Sequence, residues 1–100
     1  MIILAVKKTV KIKNSTGLHA RPAALFVKKA GEFESDINVI FNDKEVNAKS
    51  VMGVMSLGAS KGKEIVIQAE GEDSQKAVEQ LVKFVEYEMP KEDESSEDEE

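Results

Sequence analysis

The sequence predicts an α+β fold: a four-stranded antiparallel sheet with three helices packed on one face, in the order βαββαβα. Two observations carry it. Runs whose apolar residues recur at every second position alternate along the chain with runs whose apolar residues recur at helical spacing. A two-residue Asn-Asp turn joins two strand-like runs in mid-chain, and a hairpin set between helical segments makes the sheet antiparallel and leaves the helices to cover one side.

The first strand is read from Val6, Val10 and Ile12, which share parity among Lys7, Lys8, Lys11 and Lys13. The opening MIILAV is apolar but short, with no basic segment before it and no small-residue cleavage site after it, so it reads as the lead-in to that strand. From Ala20 the period changes. Ala23, Phe26, Val27 and Ala30 fall at i, i+3, i+4 and i+7, the core stripe of a helix that Gly31 can end.

Ile37, Val39 and Phe41 then alternate with Asn38 and Ile40, and Asn42-Asp43 turns the chain into a short strand through Val46. The stretch SVMGVMSLG opens on a capping residue, Ser50, carries apolar residues too densely for a half-buried strand and stops at Gly58, which predicts a short helix. Ile65, Ile67 and Ala69 alternate as the fourth strand, closed by Gly71. Asp73 or Ser74 caps the last helix, whose Ala77, Val78, Leu81, Phe84 and Val85 form one face.

These elements fill one domain over residues 1–89. Pro90 begins a tail, 90–100, whose last ten residues KEDESSEDEE contain no hydrophobic side chain and are expected to be solvated and disordered. Were the tail to dock on the body, the lysines of the first strand would be the surface for it. The tail also accounts for the net charge of −5: its seven acids and one lysine carry −6, which leaves the body at +1. A near-neutral body with an acidic tail offers no footprint for nucleic acid, and no apolar run reaches the length of a membrane span. The chain has no cysteine, which excludes disulfides and thiolate chemistry and fits a reducing cytoplasm.

The single histidine, His19, stands in TGLHARPA, two residues before the single arginine, Arg21, at the start of the first helix. First-turn N–H groups have no intrahelical partner and form a ready anion site. A neutral imidazole that attacks a phosphoryl group gains negatively charged oxygens, and the helix N–H groups with the guanidinium supply donors for them. Pro22 costs no helix bond there, because its missing N–H falls in the first turn. On spacing alone a lone histidine in a small domain is more often a surface or capping residue, and without a convergent carboxylate pair it is a poor metal ligand. Ser50 has the same two readings. It is an N-cap ahead of core residues, or it borders a patch in which Met52 and Met55, three apart on one helical face across Gly53, present a surface able to repack against several partners.

GLHARPA together with VNAKSVMGVMSLG resembles HPr, the histidine-containing phosphocarrier of the bacterial phosphoenolpyruvate:sugar phosphotransferase system, over roughly Lys8 to Glu88. The resemblance implies an open-faced β-sandwich. It implies phosphorylation of His19 on Nδ1, a phosphate-neutralising Arg21, and a docking patch of His19, Ala20, Arg21, Ala24, Val51, Met52 and Met55. Enzyme I would supply the phosphoryl group and the enzyme IIA domains of sugar permeases would receive it, with no cofactor and no metal. Such a protein is a substrate of other phosphotransferases and not an enzyme, and is expected to be a cytoplasmic monomer.

Ser50 corresponds to the family's regulatory serine, and the motif around it looks like the Gram-positive version. There a metabolite-controlled serine kinase/phosphorylase modifies the serine, and the product acts as corepressor of a catabolite-control transcription regulator. Two other roles fit the same fold: a regulatory binding module acting through Ser50 and the methionines, which would be expected to lack the histidine, and a nitrogen-branch phosphocarrier paralogue. The first residues run longer than is usual in the family, and the acidic tail is not part of its pattern.

Overall fold

A computed structural model describes residues 5–14 and 17–90. In chain order it contains β1 (Ala5–Lys11), α1 (Ala20–Ala30), β2 (Asp36–Phe41), β3 (Lys44–Asn47), α2 (Val51–Ser56), β4 (Glu64–Glu70) and α3 (Ser74–Lys83), which continues into a π-helical segment, Phe84–Glu88. The predicted order holds. The four strands form one antiparallel sheet in the order β1-β4-β2-β3, so the two strands that flank the hairpin, β1 and β4, pair beside it.

Alternation sorts the sheet into two faces. Val10, Ile37, Val39, Ile65, Ile67 and Ala69 are buried on the inner face beneath the helices, while Asn38, Ile40, Val66 and Gln68 on the other face stay half-buried with no helix over them. From α1 the core receives Ala23, Phe26 and Ala30, and from the last helix Ala77, Val78, Leu81, Phe84 and Val85. The rings of Phe26 and Phe84 meet at 6.3 Å, tilted by 60°, and join the two helices above the sheet. Each large side chain so buried contributes about 1.5–3 kcal/mol. The hairpin closes through Asn42 and Asp43 at φ 50° and 66°, the left-handed pair that a two-residue turn needs and that Asn and Asp tolerate.

Three local expectations are met only in part. Gly31 ends α1 in the right-handed region, φ −67°, so the stop does not use glycine's special freedom. Asp73 stands at the N-cap of α3 but makes no bond to its own helix. Instead its carboxylate accepts from the Glu34 N–H at 2.9 Å, the Ser35 N–H at 3.0 Å and the Ser35 hydroxyl, since the turn entering β2 offers three donors. These bonds, the Ser35 hydroxyl first, hold the Asp73 carboxyl below its ordinary value. The last helix runs on through Pro90, where the sequence puts the start of the tail: Met89 is fully buried and Pro90 continues the helical path, because the π-segment lets the Met89 N–H reach the Phe84 carbonyl. The readings of MIIL and of residues 91–100 lie outside the described residues. Among the described residues, no helix is long and apolar enough to cross a membrane.

Candidate functional site

His19 is the N-cap of α1, with extended backbone at φ −88° and ψ −172°, and its side chain makes no capping bond. The first helical bond runs from the Ala23 N–H to the His19 carbonyl at 2.8 Å, so the N–H groups of Ala20 and Arg21 precede the intrahelical ladder and Pro22 has none to lose. No acid lies in that first turn, and Lys28 and Lys29 sit in the last, an arrangement matched to the helix dipole. His19, Ala20, Arg21 and Ala24 are all exposed, with Pro22 and Ala23 turned into the core between them.

The loop before His19 is tied down by contacts that sequence patterns do not reveal. Leu18 is buried and donates its N–H to the Ala59 carbonyl at 3.0 Å; Leu18 and Ala23 occupy the positions of a hydrophobic staple around the cap. Asn14 Nδ2 donates to the Gly17 carbonyl at 2.7 Å, and the Gly17 N–H returns to the Asn14 carbonyl at 3.2 Å. Gly17 has φ +65° and lies so close to the chain after α2 that a Cβ would come within 2.6 Å of the Ala59 oxygen and 2.8 Å of Ser60 Cα. Only glycine fits there.

Gly17→Ala is therefore expected to cost at least about 1–2 kcal/mol from the left-handed backbone alone. For a domain of this size that lowers Tm by roughly 4–8 °C per kcal/mol, and amide resonances of 17–19 and 59–60 should move with it. A variant that melts with its parent would show that the loop yields freely.

Ser50 caps α2, its Oγ accepting the Gly53 N–H at 3.1 Å. Gly53 fits closely beneath that cap. A Cβ on it would approach Ser50 Oγ to 3.2 Å and Val46 Cβ to 3.5 Å, so the position is tight under the cap. Val54 and Leu57 face the core, while Val51 and Met55 are 36% exposed and Met52 80%. Both methionines are thus on the surface and not in the core. α1 packs against α2, and the Leu18–Ala59 bond attaches the His19 loop to the C-terminal exit of α2. Ser50 stands at the other end, a helix length of about 9 Å away for six residues. The expected patch residues therefore share two neighbouring helices.

A family model described as "PTS HPr component phosphorylation site" matches residues 6–87. The HPr-like protein Crh of Bacillus subtilis is 49% identical over 84 residues, covering 84% of this chain and 99% of that protein. The phosphocarrier protein HPr of Buchnera aphidicola subsp. Schizaphis graminum is 51% identical over 79 residues, 79% of this chain and 93% of the relative. Among solved structures, HPr-C-His from Thermoanaerobacter tengcongensis superposes with a TM-score of 0.81 at 51% identity, covering 84% of this chain and 94% of that one.

Proposed function

Because the chain belongs to the HPr family of phosphocarriers, which carry a phosphoryl group and are not themselves enzymes, we propose that it serves the sugar phosphotransferase system with His19 as the acceptor. The observation that carries this reading is an exposed imidazole at the cap of α1, free of capping duty, ahead of an acid-free first turn that holds Arg21. In the forward step the bond from phosphorus to phosphorylated enzyme I breaks as a bond to His19 Nδ1 forms. The first-turn N–H groups and the guanidinium take up the charge on the phosphoryl oxygens. In the second step a IIA domain of a sugar permease takes the group. The carrier acts as a cytoplasmic monomer and needs no metal or cofactor for either step. Purified enzyme I, phosphoenolpyruvate and this protein test it: one phosphate per chain on His19 is the expected result.

A regulatory role is the second reading, favoured by the likeness to Crh and by the exposed methionines beside a serine cap. Here Ser50 is the target of a serine kinase/phosphorylase, and the phosphoserine form meets a catabolite-control transcription regulator. Ser50 is half-buried and its hydroxyl already bonds the Gly53 N–H, so the modified residue keeps a donor for its new charge. Inhibition of transfer then arises at the partner. A surface shaped to cover Met52 and Met55 has to desolvate a phosphate at their edge or meet it with its own groups. Ser50→Asp is expected to raise the apparent KM for enzyme I about tenfold or more, with backbone shifts confined to residues 47–57. Unchanged KM with slow transfer, or a shifted α1, would place the effect in the fold and overturn this account.

A further inference from the structure

The two ends of the β1–β4 pair differ in charge. At the end where β4 finishes and α3 begins, Asp36, Glu70 and Glu72 are exposed. At the other end Lys11, Lys13, Lys61 and Lys63 are all exposed, drawn together by the bonds from the Ile12 N–H to the Lys63 carbonyl at 2.9 Å and from the Gly62 N–H to the Ile12 carbonyl at 2.8 Å. Glu64, opposite Lys11, is the one acid among residues 11–14 and 59–64, and none of the four lysines makes an ion pair among the described residues. The same end carries the Leu18–Ala59 bond that fixes the His19 loop.

The last helix delivers the chain to this end. α3 starts just beyond Glu70, packs on β1 and β4, and continues as the π-segment, which also packs on β1. Ser74–Glu88 spans about 22 Å, close to the length of about 23 Å of the seven-residue strand it returns along. Residue 90 therefore lies toward Lys11 and away from Asp36. Beyond it come ten residues with a charge of −6 and a reach of about 33 Å.

We propose that the acidic tail, residues 91–100, docks by charge on the lysine cluster Lys11, Lys13, Lys61 and Lys63 of its own chain. Lacking apolar residues, the tail buries no hydrophobic surface, so the contact is electrostatic and sensitive to salt. The proposal does not depend on what His19 does.

The test compares amide spectra of the full-length protein with those of a chain whose seven tail acids are replaced by their amides. In about 0.01 M salt, where screening extends to roughly 30 Å, resonances of 11–13 and 60–63 are expected to differ between the two. Near 1 M, where it falls to about 3 Å, the difference should close. Lys13→Gln with Lys61→Gln and Lys63→Gln is expected to make the protein indifferent to the tail's charge. Coincident spectra at low salt would overturn the proposal, as would a difference confined to residues next to Pro90, one centred on other lysines, or one that grows with protein concentration, which would put the tail on a second copy.

Discussion

His19→Ala is expected to abolish labelling of the protein by phosphoenolpyruvate and enzyme I while Tm stays within about 2 °C of the parent. The first half follows from chemistry: no other side chain in the sequence is an imidazole, and the chain has no thiol to substitute for it. The parent's label should be lost in acid and kept in base, as for a phosphoramidate, whereas a phosphoserine survives acid. The second half follows from placement. His19 is exposed and makes no capping bond, while the loop around it is held by Leu18, Gly17 and Asn14 through bonds the substitution leaves alone. Acid-labile label on the alanine variant would sink the mechanism. Loss of label accompanied by unfolding would contradict the structural half and show that the imidazole holds the cap.

The parts of this arrangement that follow a period were legible in the residues. Core positions such as Phe26, Ile67 and Leu81 sit where alternation or helical spacing puts them, because burial on one face is what those periods record. The placement of His19 and Arg21 at a helix start was legible for a different reason: each is the single residue of its type, ahead of a run with helical spacing. What the sequence did not reveal depends on contacts between distant segments. Nothing near Gly17 announces the Ala59 carbonyl, and a glycine ahead of a cap reads as an ordinary turn until the chain after α2 arrives beside it. Asp73 satisfied the rule for a helix cap in sequence, yet three donors from the turn at Glu34 and Ser35 won its carboxylate, a tertiary preference that local spacing cannot express. The π-segment is likewise invisible to a period of 3.6, which would have carried Phe84 and Val85 inward whichever way the helix ended.

A carrier has to release what it binds, so the site must stabilise the phosphoryl group only moderately; tight holding would make the onward step uphill. An exposed ring beside one cation meets that requirement, and it makes Arg21 the residue whose removal should slow transfer most without ending it. Arg21→Ala is expected to lower the rate about 10- to 150-fold, the equivalent of a charge-assisted hydrogen bond worth about 1.5–3 kcal/mol. Alanine is the better helix former and Arg21 is exposed in the first turn, so the fold should be kept. If the guanidinium acts on the phosphoryl oxygens as they pass between proteins, the loss falls on kcat, and Arg21→Lys restores only part of it because an ammonium lacks the planar fork. If Arg21 instead serves the docking surface it shares with Ala20 and Ala24, KM rises, kcat holds and lysine rescues nearly all of the rate. Full activity in Arg21→Ala would leave the N–H groups of the first turn as sufficient for the transferred charge, and the reading of Arg21 would fall.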